Sequence, residues 1–413
     1  MKQAFFRYFT NPRIVVIMLL SFSSALPLPL VGSTLQAWYT VSGVSLMAIG
    51  ALTLVGQPYV YKFLWAPLLD RFALFNMGRR RGWILGMQLL LIIGLTVMAF
   101  LHPTVHPWVL AWVAFVVAIC SASQDIAIDA YRADILHPDE RGPGAAFTTL
   151  GARMAFLISS ALALILASHI GWQVTYLIMA GLMAIHVLVT FWAPRPEDIV
   201  VPPRTMMKAV IEPLQEFMSR DSAIFLLIFI VSYKICDALA VSLNTPFLIR
   251  GVGFSLDAIG SVYKIAALVA TLVGSLVGGF LMPRLGLYRS LMYFGMLQAF
   301  SNLAYMALAL IGKSYLFMVS AVFVEYFCSG LGTVAFVAFL MGLCDRRYTA
   351  TQYALFSALS AVGRVFIGPE AALMVNHMGW AAFYFTSFLT GLPALLLLWW
   401  LRYRVNFIEQ HLV

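Results

Sequence analysis

The chain has 413 residues, 62% of them hydrophobic and only 10% charged, with a formal net charge of +9. An ordinary soluble domain carries about 25% charged residues, so this composition excludes a chain covered mainly by water and calls for lipid as the solvent. The apolar runs are continuous, as in Ile14–Leu20 and Leu395–Leu401. They exclude the alternating pattern of a membrane barrel and leave helices, whose backbone groups are satisfied within each segment.

A span needs about 20 apolar residues. The apolar runs predict an all-α membrane protein with twelve transmembrane helices, at 14–37, 46–69, 83–101, 107–136, 144–168, 172–193, 222–249, 258–282, 288–311, 314–343, 350–376 and 379–401. The first follows Lys2, Arg7 and Arg13, and Ser24-Ala25-Leu26 imitates a signal-cleavage site. It reads as a retained span, because its removal would leave eleven helices and break the repeat described below. Pro27, Pro29, Pro246 and Pro369 mark expected bends. Between the spans, nineteen Lys and Arg residues fall in loops on one side, against Arg250 and Lys313 on the other. That bias predicts both termini in the cytoplasm and explains the net charge as topology rather than nucleic-acid binding. Cys120, Cys236, Cys328 and Cys344 show no CxxC spacing and read as small core residues. Trp38, Trp108, Trp172 and Trp380 read as interfacial anchors.

Gly43-Val44-Ser45-Leu46-Met47-Ala48-Ile49-Gly50 recurs as Gly253-Phe254-Ser255-Leu256-Asp257-Ala258-Ile259-Gly260, at an offset of 210 residues. Arg71 and Arg284, and Arg153 and Arg364, repeat at nearly the same offset. The spacing predicts two pseudo-symmetric six-helix bundles in parallel repeat, the arrangement of major facilitator transporters. Residues 1–193 form the N-terminal bundle, 194–221 a cytoplasmic linker and 222–413 the C-terminal bundle. The Pro-rich linker reads as a tether, with a surface helix over 205–218 as the alternative.

The loop after the second span holds Asp70 and Arg71, then Gly78-Arg79-Arg80-Arg81-Gly82, and its second copy holds Pro283 and Arg284. Asp70, Arg71 and Arg284 are the candidate gating residues, forming a cytoplasmic charge latch. Arg79, Arg80 and Arg81 read as anchoring.

Ionisable groups inside spans are costly and mark function. Asp125 and Asp129 are four apart on one helix face. They are candidate proton-coupling carboxylates with Arg153 as their expected cationic partner, and a structural ion pair is the alternative. Glu325 is a third proton-coupling candidate. Lys234 and Asp237 share a face, and read either as a substrate contact or as a local pair. Arg364 is the candidate anion contact. With Gln36, Lys62, Gln124, Arg153 and Asn244 they make up the candidate substrate-binding set, in which amides and aromatic faces suit sugars. His102 and His106 bracket a loop and do not suggest a metal site. No nucleophile elbow, zinc motif, P-loop or dinucleotide fingerprint occurs, so an enzyme is not expected.

Several stretches carry a resemblance. They are Ser24–Leu28 with Ser33–Trp38, Lys62–Arg71, Gly78–Trp83, Gln124-Asp125-Ile126-Ala127-Ile128-Asp129-Ala130-Tyr131-Arg132, Glu140–Gly142, and Tyr348-Thr349-Ala350-Thr351-Gln352-Tyr353-Ala354-Leu355. Together they resemble the AmpG family of anhydromuropeptide permeases. Acetyl-coenzyme A transporters share a pattern related to the Asp125 block, whereas the Gln352 block is closer to the muropeptide branch. The resemblance implies import of N-acetylglucosaminyl-1,6-anhydro-N-acetylmuramic acid, with or without its peptide, across a bacterial inner membrane. It implies a proton gradient as the driving force, with no cofactor, and roles in peptidoglycan recycling and β-lactamase induction. The expected partners are the small-molecule substrate and the lipid bilayer, and the expected state is a monomer. Transport of another anionic metabolite, such as acetyl-coenzyme A, is the alternative.

Overall fold

The computed structural model describes residues 11–72, 74–136, 141–195, 215–220, 222–344 and 349–410. Among them every regular element is helical. Ten stretches are long and apolar enough to cross a membrane, and a shorter one spans Leu46–Tyr61. In chain order these are α1 (Pro12–Val41), α2 (Leu46–Tyr61), α3 (Arg80–Phe100), α4 (Pro107–Arg132), α5 (Phe147–Ile170), α6 (Trp172–Trp192), α7 (Ala223–Gly251), α8 (Leu256–Leu285), α9 (Leu287–Ile311) and α10 (Tyr315–Leu343). The last long stretch, Thr349–Trp400, is two helices, α11 and α12, meeting at Gly379 with φ 77°. The expected twelve crossings are thus present, followed by a short polar helix, α13 (Arg402–Gln410).

The second crossing departs most from expectation. Instead of one helix over 46–69, the chain forms Leu46–Ala51, a tight turn over Leu52–Gly56, Gln57–Tyr61, another turn at Lys62–Leu64, and Ala66–Arg71. Pro58 and Pro67 each begin a new helical piece, because a proline has no N–H to continue the preceding one. The first crossing is interrupted in the same way at Pro27 and Gly32. Single turns of π-helix occur at Leu157–Leu162, Phe247–Gly251 and Ile259–Tyr263.

The repeat has a local physical basis. Gly43 (φ 80°) and Gly253 (φ 87°) take the left-handed conformation that only glycine adopts cheaply. Two residues on, Ser45 and Ser255 cap the next helix, accepting from the N–H of Ala48 at 3.4 Å and of Ala258 at 3.3 Å. Gly78 and Gly286 precede α3 and α9, and Gly171 and Gly379 precede α6 and α12, all with φ between 77° and 84°.

The chain forms two compact units, Met1–Val44 with Val55–Arg204 and Ser45–Leu54 with Thr205–Val413. The start of α2 therefore clusters with the second unit. There the Gly50 Cα approaches the backbone of Gly368, and Thr53 Oγ1 donates to the Val365 carbonyl at 2.8 Å. In the first unit α1 packs on α5, and α3 on both α4 and α6. In the second, α7 packs on the α11–α12 stretch, α9 on α10 and on the same stretch, and α8 on α10. The α8–α10 crossing is close because a Cβ on Gly330 would meet the Thr271 carbonyl at 2.5 Å. Most of the expected linker lies outside the described residues. Its end, Gln215–Arg220, docks on the second unit: Phe217 is buried against Phe356, with ring centroids 4.7 Å apart, and Arg220 donates to the Leu343 carbonyl at 2.6 Å.

Two expectations about anchoring need correction. Trp38 is 2% exposed and stacks on Trp172 at 5.4 Å, so it is a core residue; Trp108, 63% exposed, fits an interfacial role. Arg81 is also buried. It donates to the carbonyls of Thr190 (3.2 Å) and Phe191 (2.7 Å), closing the carbonyl end of α6, while Arg80 pairs with Asp134 at 3.0 Å. Cys120, Cys236 and Cys328 are buried free thiols, as expected of core residues.

Candidate functional site: one polar centre in each unit

In the first unit, the break in α2 and the bend in α1 bring Lys62 and Ser24 to the same carboxylate. Lys62 forms an ion pair with Asp125, and Ser24 Oγ donates to Asp125 Oδ1 at 2.8 Å. Both charged side chains are about one-third exposed, Lys62 33% and Asp125 32%, so the pair is reachable by solutes. Asp129, one turn further along, pairs with Arg132 at 3.0 Å. Arg153, expected as the cation for these carboxylates, makes no ion pair among the described residues and is exposed. The reason is geometric. The tight turn at Lys62–Leu64 swings the lysine to Asp125, and Arg132 reaches Asp129 along the same helix face.

Gln124 is fully buried beside this pair. Its Nε2 donates to Ser23 Oγ at 2.7 Å, and Gln88 Nε2 donates to the same oxygen at 3.2 Å. Gln36 is also buried. Gln124 and Gln36 thus sit in packed polar layers rather than on an open wall. Asp70 and Arg71 end the helical piece Ala66–Arg71, but their side chains lie outside the described residues. Arg284 is exposed in the last turn of α8.

The second unit holds a cavity of about 360 Å³, within the size range of small-molecule pockets. Lys234, Asp237, Tyr326, Ser329, Thr333 and Arg364 are on its wall. Lys234 Nζ is 3.9 Å from Asp237 Oδ2, 3.4 Å from Thr333 Oγ1 and 5.4 Å from the centre of the Phe336 ring. The contact with Asp237 is long for an ion pair, so the lysine is held by three weak contacts rather than one strong one. Asp237 is bound better from behind, accepting from Gln298 Nε2 at 2.9 Å. Arg364 makes no ion pair with Glu325; it is exposed on the cavity wall.

Glu325 is fully buried in the next layer, where Ser301 donates to one of its oxygens and the other has no partner among the described residues. Gln298 and Ser301, one turn apart on α9, thus bind Asp237 and Glu325 respectively, so one helical turn touches both carboxylates. Asn244 accepts from Tyr384 Oη at 3.0 Å, and Tyr263 shares a 2.8 Å hydrogen bond with Tyr326. Sequence reasoning missed the roles of Ser24, Ser301 and Thr333. A lone hydroxyl in an apolar helix carries no periodic signal.

The sequence matches the Major Facilitator Superfamily over residues 13–369. It is 48% identical over 399 residues to the anhydromuropeptide permease of Escherichia coli K12, covering 96% of this chain and 81% of that protein. The chain belongs to the anhydromuropeptide permease family. A Rickettsia felis protein named as an AmpG transporter is 30% identical, over 97% of this chain and 99% of that one. The solved peptide transporter POT superposes with a TM-score of 0.74 at 12% identity, covering 96% and 95% of the two chains. A D-xylose–proton symporter gives 0.68 at 13%, covering 96% and 97%. These two show the fold alone. As a family member the chain is a multi-pass membrane transporter of a small molecule, not an enzyme.

The block from Gln124 to Arg132 now has a structural account. Gln124 binds Ser23, Asp125 binds Lys62, Asp129 binds Arg132, and Tyr131 donates to the Pro194 carbonyl at 2.8 Å. Gln352 of the other block donates to Glu216 at 2.7 Å, which holds the end of the linker. Nearby, burial pushes the Cys344 thiol up to about 11, with the Arg220 charge opposing the shift.

Proposed function

We propose that the chain imports N-acetylglucosaminyl-1,6-anhydro-N-acetylmuramic acid and its peptides across the bacterial inner membrane, by alternating access and driven by protons. The observation that carries this reading is the cavity of the second unit, lined by two cations, four serine and threonine hydroxyls and three aromatic rings. Carboxylates of a muropeptide suit Lys234 and the guanidinium fork of Arg364. Sugar hydroxyls suit Ser329, Thr333 and Ser357, and sugar faces suit the rings of Tyr326 and Phe336. The 48% identity to a protein named anhydromuropeptide permease supports the same substrate.

Proton coupling uses carboxylates that trade a proton against a cation or a hydrogen bond. Asp125 with Lys62 serves this role in the first unit, and Asp129 is one helical turn away. In the second, Gln298 and Ser301 of one helical turn bind Asp237 and Glu325, which makes these two carboxylates the candidates for coupling there. The gradient itself is the only energy source required, so no cofactor is invoked.

Uptake by right-side-out vesicles tests the reading. Labelled disaccharide-peptide should accumulate when the outside is acid and should stop when a protonophore collapses the gradient. Excess acetyl-coenzyme A should not compete. Competition by the thioester, with no accumulation of the muropeptide, would transfer the assignment to a coenzyme A transporter, whose phosphates would also suit Lys234 and Arg364.

A further inference from the structure

Away from the polar centres, the second unit carries an apolar crevice of about 600 Å³ between α9 and α12. Its walls include Met296, Phe300, Phe388, Leu396 and Trp399, and of these Phe300, Leu396 and Trp399 are more than half exposed. The crevice begins near the start of α9 (Leu287) and the end of α12 (Trp400). From Met292 to Phe300 it follows α9 for about 12 Å at 1.5 Å per residue, the reach of half an acyl chain.

Both walls end in an arginine at the same membrane surface. On α9, Arg289, Met292, Met296 and Phe300 follow at helical spacing and share one face. On the other side Phe388, Leu392, Leu395 and Trp399 lead to Arg402, whose guanidinium lies over the Trp399 ring at 5.3 Å. Neither arginine pairs with a carboxylate among the described residues; Arg402 donates to Tyr403 Oη at 3.1 Å, and Arg289 is exposed. The backbone carries the stripe through the turn, since the Leu401 N–H bonds the Leu397 carbonyl and the Val405 N–H bonds the Leu401 carbonyl. Leu287, Leu398, Leu401 and Val405 lie in one core cluster, which fixes α13 beside the start of α9. Tyr403 is 73% exposed beside Arg402, a placement suited to the headgroup layer.

We propose that this crevice binds an anionic phospholipid, with one acyl chain lying between α9 and α12 and the phosphate held by Arg289 and Arg402. A zwitterionic lipid fills the apolar part equally well. The two uncompensated arginines favour a net negative headgroup, by about fivefold for each cation at an anionic surface.

Native mass spectrometry of the purified full-length protein, titrated with dioleoyl phosphatidylglycerol or dioleoyl phosphatidylcholine, tests the site. The wild type should retain phosphatidylglycerol preferentially, and the double variant R289Q/R402Q should lose at least about tenfold of that preference. Met296→Trp, which fills the crevice and keeps both arginines, should lower retention of phosphatidylglycerol. Equal retention of the two lipids by the wild type overturns the proposal. So does a preference that survives R289Q/R402Q, or retention unaffected by Met296→Trp.

Discussion

Lys62 and Asp125 form an ion pair in the first unit, at a break in α2 rather than within a regular helix. Asp125→Asn leaves Lys62 without its counter-charge. For a pair one-third exposed we expect a loss of about 1–3 kcal/mol, below the cost at a fully buried site. Acid-driven uptake should fall to the background level while the protein still purifies as a folded species. The double variant Lys62→Met with Asp125→Asn should recover thermal stability without recovering gradient-driven uptake. Recovery of both would show that the pair is only structural. Arg364 is the other residue with a sharp test. Its fork can bind a carboxylate by two parallel hydrogen bonds, whereas lysine keeps the charge and loses the geometry. Arg364→Lys should weaken binding of the peptide-bearing substrate by about five- to tenfold and that of the peptide-free disaccharide less, because the peptide adds carboxylates. Calorimetry on purified protein reads this difference directly, and equal losses for both ligands would remove Arg364 from the anion contact.

At the scale of helices, the last carbonyls of α6 have no helical partner of their own. Arg81 supplies it from α3, with two charge-assisted bonds inside a buried contact. Arg81→Ala should therefore lower unfolding stability by about 1–3 kcal/mol and Arg81→Lys by less, measured by thermal melting in detergent. A similar interlock joins α1 to the π-turn of α5, where Thr34 Oγ1 donates to the Ser159 carbonyl at 2.7 Å. The contact falls in the π-turn Leu157–Leu162, where the backbone departs from regular α geometry.

For the whole molecule, the loop charges predict the orientation. A fluorescent-protein fusion at residue 413 should glow, and an alkaline phosphatase fusion at the same place should be inactive, because both report a cytoplasmic end. The reverse pattern would invert every span. Much of this organisation was legible from residues alone. Continuous apolar runs require helices in lipid, and the Gly-x-Ser repeat announces two related units because each copy places a left-handed glycine before a serine cap. The block around Asp125 marked the polar centre of the first unit, since carboxylates four apart in an apolar helix need a reason to be there. What remained hidden was partner choice. Lys62 and Arg153 are both cations within spans, and only the path of the broken α2 selects Lys62 for Asp125. Trp38 looked like an anchor near the end of its span, yet its stacking on Trp172 makes it core. The contacts of Gln298 with Asp237 and of Ser301 with Glu325 bring one turn of α9 against two other helices, at separations along the chain that no local pattern gives. Local chemistry and solvent determined where the chain is helical and which residues are costly to bury. Only the tertiary structure decided which of those residues meet, because side chains far apart in sequence meet only where helix breaks and crossing geometry bring them together.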